Sequence, residues 1–247
     1  MMFRILLLKK TALLAFSATA SAQIQPEMVL VPSGCAEVGT LLMDQQSNPL
    51  RQVCLDAFMI GKYEVTFREY DVFAEATRRP APHDVNFGRD YRPVIDITWF
   101  DAVAYAQWLS DKTGKSYRLP TDAEWEYAAK FGTEFGFNYG WGGEVGLDRA
   151  NCRDCSSESE ARMTVPVGSF DANSLGLFDI HGNVWEWSSD CFYSDSPKVV
   201  NDMHCEVGVV RGGSWDSASD ELVFWLRAPQ VSTRSAQDIG FRLVLEP

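Results

Sequence analysis

The apolar positions of this chain fall in short runs separated by long polar or glycine-rich stretches. Met28 to Gly39 begins with a β-rich run and ends in a Pro-Ser-Gly turn. After a polar loop, Met43 to Arg51, the segment Val53 to Ile60 alternates and stops at Gly61, so it predicts a strand pairing with the first. Thr66 and Glu69 form a capping box that opens a helix over Phe67 to Thr77. Ala102, Tyr105, Ala106 and Leu109 repeat at helical spacing, which predicts a helix from Phe100 to Thr113 closed by Gly114. Tyr117 to Leu119 is short and extended. A second capping box, Thr121 with Glu124, starts a helix that runs to Lys130. Phe131 to Gly146 and Asn151 to Met163 read as loops, as does Ser188 to Asn201. Val207 to Arg211 reads as a strand, residues 216–238 as irregular, and Ile239 to Leu245 as a closing strand. Short strands, a few helices and dominant loops describe an α+β domain.

One stretch fits neither period. Residues 176–187, Gly-Leu-Phe-Asp-Ile-His-Gly-Asn-Val-Trp-Glu-Trp, set two tryptophans, a phenylalanine and three aliphatic residues among two acids and two glycines. Carboxylates at Asp179 and Glu186 around a glycine turn offer oxygen ligands to a hard cation such as calcium. The same acids serve equally as partners of arginines elsewhere in a buried aromatic turn, and the spacing alone leaves both readings open.

Composition changes the picture at the N-terminus. Arg4, Lys9 and Lys10 precede an apolar run, Thr11 to Thr19, and an Ala20-Ser21-Ala22 cleavage signal. Residues 1–22 are therefore expected to be a signal peptide and 23–247 a single mature domain, periplasmic or secreted. No later apolar run approaches the roughly 20 residues a membrane helix needs, so no membrane insertion is expected. Removing the three basic residues leaves 19 basic against 34 acidic side chains, a net charge of −15. That disfavours nucleic acid as a partner, and a monomer is expected. An exported chain with an even number of cysteines reads as a disulfide framework. Proximity pairs Cys35 with Cys54, Cys152 with Cys155 and Cys191 with Cys205. The spacing of Cys152 and Cys155 also suits zinc, but no second such pair or histidine pair accompanies it. His83, His181 and His204 form no catalytic or metal-binding constellation, and His181 reads as a surface turn residue.

Six segments in order resemble the sulfatase-modifying factor family, founded on the formylglycine-generating enzyme. They are residues 61–66 (GKYEVT), 101–105 (DAVAY), 117–129 (YRLPTDAEWEYAA), 182–187 (GNVWEW), 210–215 (VRGGSW) and 240–242 (GFR). The resemblance covers nearly all of the mature chain. It implies a loop-rich C-type-lectin-like fold. It also implies calcium bound by the side chains of Asp179 and Glu186 and the carbonyls of Gly182 and Val184. Of a second family calcium site only Asn151 is retained. The copper-dependent oxidase has a cysteine three residues after the Ser of Gly-Gly-Ser, here Ser217, and a second five residues beyond, which by simple counting is Leu222 in a chain about three residues shorter there; no cysteine follows Cys205. Ser is a poor ligand for Cu(I), so copper-dependent formylglycine generation is not expected. The resemblance implies instead an exported oxidase or maturation factor acting on a peptide-like substrate, with a pocket from Trp185, Ser214, Trp215, Ser217 and Arg227. The alternative is a non-catalytic, calcium-braced module binding a small-molecule or protein ligand through residues 216–238, with Phe224 and Trp225 as contacts.

Overall fold

The computed structural model describes residues 25–39, 49–133, 137–156, 162–192 and 206–246. The expected signal peptide and Cys205 lie outside them. Strands β1 (Met28–Val31), β2 (Gly34–Val38), β3 (Arg51–Leu55) and β4 (Phe58–Gly61) come first. The alternating run from Val53 to Ile60 is thus two strands rather than one. β3 pairs antiparallel with β2, and β4 with β1. The break at Asp56-Ala57 lets one segment serve two sheets. Cys35 and Cys54 stand directly opposite each other and are joined by a disulfide. Closing a 19-residue separation is worth about 3 kcal/mol. Cys152 and Cys155 form the second expected bridge.

Helices α1 (Phe67–Thr77), α2 (Trp99–Thr113) and α3 (Asp122–Ala129) each start at a threonine cap with a reciprocal acid three residues into the helix. For α2 the pair is Thr98 and Asp101, one residue earlier than the apolar spacing predicts. α1 buries Phe67, Tyr70, Phe73 and Ala74, and α2 buries Trp99, Ala102, Tyr105, Ala106 and Leu109. These faces meet in an aromatic cluster in which Tyr105 lies 5.6 Å from Tyr70, 5.5 Å from Phe73 and 5.5 Å from Phe241.

β5 (Tyr117–Arg118) and β10 (Val244–Leu245) complete a four-stranded sheet in the order β1-β4-β10-β5. A second sheet, β8-β7-β6-β9, contains β6 (Trp185–Cys191), β7 (Val207–Arg211), β8 (Ala228–Val231) and β9 (Ile239–Gly240). Trp185 to Cys191 is a strand, not the end of a turn followed by a loop from Ser188. The first four residues of β6 are all buried, so both faces are apolar or internally paired and no alternation marks the strand. Ala228–Val231 adds an edge strand inside the segment read as irregular. The closing run divides into β9 and β10 in different sheets, with Phe241 and Leu243 between them accepting from Val65 and Gly61. No helix among the described residues is long and apolar enough to cross a membrane.

Candidate functional site

The start of β6 places Glu186 in the interior. Arg242 clamps it with two bonds, Nε to Oε2 at 2.7 Å and Nη2 to Oε1 at 2.6 Å, and Trp125 donates its indole N–H to Oε2 at 2.7 Å. The guanidinium also donates to the carbonyls of Gly61 and Phe178. Glu186 therefore takes the arginine-paired role. Glu64, which the sequence reading passed over, lies in the same interior and accepts from Asn183 Nδ2 at 2.7 Å and Val184 N at 3.3 Å. Burial pushes its carboxyl well above the ordinary range, and the negative charges of Asp179 and Glu186 add to that. Asp179 sits at a left-handed turn (φ 55°), accepts the Gly168 N–H at 2.6 Å through Oδ2, and leaves Oδ1 buried without a partner. Its carboxyl is pushed up to about 6, chiefly by burial.

Three buried acids thus face one buried guanidinium, and one oxygen is unsatisfied. An orphaned carboxylate oxygen in an interior with surplus negative charge is what a divalent cation relieves. Four-site acceptance by Glu186 is three-quarters used, leaving one lone pair at Oε1. The three acids do not converge on one point as tightly as Cys152, Asp154 and Cys155, whose ligand atoms lie within 4.8 Å of one another. Those two sulfurs are already joined.

The Gly-Gly-Ser-Trp turn leaves β7 through Gly212 and Gly213, both at positive φ. Ser217 Oγ accepts the Ser214 N–H at 3.2 Å, and Ser214 Oγ lies 3.3 Å from Asp238 Oδ2. The Asp238 carbonyl accepts the Trp185 N–H, and Trp215 donates its indole N–H to the Gln237 carbonyl. Trp185, Ser214, Trp215 and Ser217 are therefore assembled around Asp238, but all four are buried. Arg227 has another partner. It pairs with Asp122 at 3.0 Å beside Arg211, which pairs with Asp122 and Glu126, and it lies over the Phe192 ring. Leu222, the second of the two positions by simple counting, is fully buried in a cluster with Cys152, Cys155 and Val223. Phe224 is core rather than an exposed contact, with its ring 4.9 Å from that of His181, while Trp225 is half-buried.

A ligand-sized cavity of about 350 Å³ opens between the loops around Gly140, Ala172 and Ile180, with Asp179 in its wall. His181 forms part of its floor and is buried, not a surface turn residue. Its Nε2 accepts the Gly140 N–H at 3.1 Å, which leaves Nδ1 to donate to the Leu222 carbonyl at 2.6 Å. Burial pushes its pKa down to about 4. The unfolded chain binds a proton near pH 6.5 and the folded one does not until about pH 4. Stability contributed by neutral His181 is complete above pH 6.5 and is lost as pH falls toward 4, by on the order of 3 kcal/mol. Urea unfolding at pH 7 and pH 4.5 checks this. His181→Asn is expected to be less stable at pH 7 but to lose less than the parent on acidification; equal losses contradict the assignment.

A mixed α/β frame with few helices, short strands and long loops is that of the formylglycine-generating-enzyme-type, C-type-lectin-like proteins. The family model described as "Sulfatase-modifying factor enzyme 1-like domain" matches residues 15–247, and the chain belongs to that family. A formylglycine-generating enzyme of Streptomyces coelicolor is 39% identical over 187 residues, covering 67% of this chain and 56% of that protein. The chain thus spans little more than half the length of that relative. Among solved structures, PvdO from Pseudomonas aeruginosa superposes with a TM-score of 0.77 at 28% identity, covering 92% of this chain and 97% of the other. Treponema denticola variable protein 1 superposes with a TM-score of 0.70 at 25% identity, covering 89% and 95%.

Proposed function

We propose that this chain is an exported maturation factor or oxidase of the sulfatase-modifying-factor family that acts on a peptide-like substrate without formylglycine chemistry. The observation that carries the reading is the state of the two positions where the copper-dependent oxidase has its thiols. Ser217 is committed to Ser214, and Leu222 is fully buried in an apolar cluster. A hydroxyl and an isobutyl group offer Cu(I) no thiolate. A second reading, a non-catalytic binding module, is favoured by the internal engagement of Ser214, Ser217 and Arg227 and by a cavity lined by other residues. Incubating the protein with a pool of short synthetic peptides and following them by mass spectrometry separates these. A defined mass change in some peptides supports maturation. Retention of unchanged peptides supports binding. Neither outcome for any peptide overturns both.

Calcium belongs to the same proposal. Asp179 would hold it through its unpartnered Oδ1, with the carbonyls of Gly182 and Val184 and the remaining lone pair of Glu186 beside it. The ion would supply charge compensation and would tie the turn at 179–186 to the sheet. Because it binds only the folded chain, calcium at a hundredfold excess over its Kd should stabilise by about 2.7 kcal/mol. The melting temperature is expected to rise with calcium and fall with chelator, and Asp179→Ala should abolish the difference. No shift in either direction sinks the assignment.

A further inference from the structure

We propose that the cavity beside His181 is a binding site for a zwitterionic, amino-acid-like molecule with an aromatic side chain. Its volume, about 350 Å³, lies within the range of small-molecule sites, about 300–1,000 Å³. The half-buried rings of Trp141 and Phe170 form its sides. Buried Leu177 and Ile180 lie at its base. These surfaces take an apolar, preferably flat, body.

The sides are fixed before anything binds. The Trp141 indole N–H is held by the carbonyls of Glu144 and Val145, and its ring stacks on Tyr139 and meets His181 edge-on at 4.9 Å. Asn173 spends its whole amide locally, donating to Ala128 and Ala129 and accepting from Leu175 and Leu177. Both ring nitrogens of His181 are engaged by backbone groups, so the floor offers no free ring nitrogen. Such preorganisation leaves little ordering cost to binding.

Besides the buried Asp179 in its wall, two charged side chains line the cavity from its exposed edge, Arg149 and Asp171. They are of opposite sign, and neither makes an ion pair or side-chain hydrogen bond with a described residue. A guanidinium takes a carboxylate in a two-point contact, and a carboxylate takes an ammonium. An ammonium and a carboxylate on one carbon, with a ring extending from it between Trp141 and Phe170, match all three features at once. This inference holds whether or not the chain is catalytic, and it requires no metal.

Calorimetric titration of the purified protein in excess chelator tests it, with L-phenylalanine, phenethylamine and 3-phenylpropanoate as probes. Phenylalanine is expected to bind, and each truncated probe to bind about tenfold more weakly or worse. Arg149→Ala should erase the preference over phenethylamine alone, and Asp171→Asn the preference over 3-phenylpropanoate alone. Both residues are exposed, so circular dichroism should show both variants folded. Absence of phenylalanine binding at millimolar concentration overturns the proposal. So does a ranking of the three probes that neither variant alters.

Discussion

Arg242→Leu is expected to lose about 3–5 kcal/mol of stability, the cost of leaving a buried charge without its partner. The guanidinium is fully buried and supplies two of the three bonds to Glu186, together with those to the Gly61 and Phe178 carbonyls. Without it, the interior holds three acids and loses the guanidinium that pairs with Glu186. The loss is therefore expected to shrink at low pH, where Glu64 and Asp179, both pushed up by burial, are protonated. The double variant Arg242→Leu, Glu186→Leu should recover part of the loss, because it removes both charges instead of stranding one. Denaturant unfolding of the parent and both variants measures this. A single-variant loss below about 1 kcal/mol would place the pair with exposed salt bridges and contradict the account of a buried charge centre.

Gly182→Ala is expected to cost about 3 kcal/mol or more, through two additive causes. The residue lies at φ 89°, and a Cβ there would stand 2.3 Å from the Asn151 carbonyl oxygen and 3.0 Å from its carbon. That neighbour is backbone, fixed by the Asn151–Gly182 bridge and by the Asn183 N–H to the same carbonyl. Gly176→Ala is the control. It has a similar φ of 86° but open space around the new carbon, so only the left-handed strain remains, about 1–2 kcal/mol. Equal losses at the two positions would mean that the close approach of the 151 and 182 segments does not hold the site together.

What could be read from the sequence was what local chemistry decides. Thr66 with Glu69 and Thr121 with Glu124 satisfy their own helix starts, so α1 and α3 were legible to within a residue or two. The start of α2 was less so, because its reciprocal residue is an aspartate and its first residue, Trp99, is buried by tertiary packing that ties its indole to Ser188. The Cys35–Cys54 pairing followed from proximity and stands in register across β2 and β3. Strand partition was not legible. Whether residues 239–245 form one strand or two depends on β6 and β4, more than 50 and 170 residues away in sequence.

The candidate site divided in the same way. The acids at 179 and 186 and the Gly-Gly-Ser-Trp turn were found from their residue types. Their partners were not, because ion pairing in an interior is settled by topology. Arg242 reaches Glu186 across 56 residues, and Arg227 meets Asp122 rather than either acid of the 176–187 stretch. Glu64 had one available signal, an acid held between Tyr63 and Val65 where an apolar residue would be the ordinary choice for a buried position. His181 carried no signal, since its burial comes from loops around Gly140 and Leu222.

The central claim is that this member of the family lacks copper–thiolate chemistry, and one measurement meets it directly. The protein is titrated anaerobically with Cu(I) against a competing chelator. It is then incubated in air with a cysteine-containing sulfatase-motif peptide, which is read by mass spectrometry. The account predicts no tight copper equivalent and a peptide of unchanged mass. One equivalent of tightly held copper, with conversion of the cysteine to an aldehyde, would contradict it.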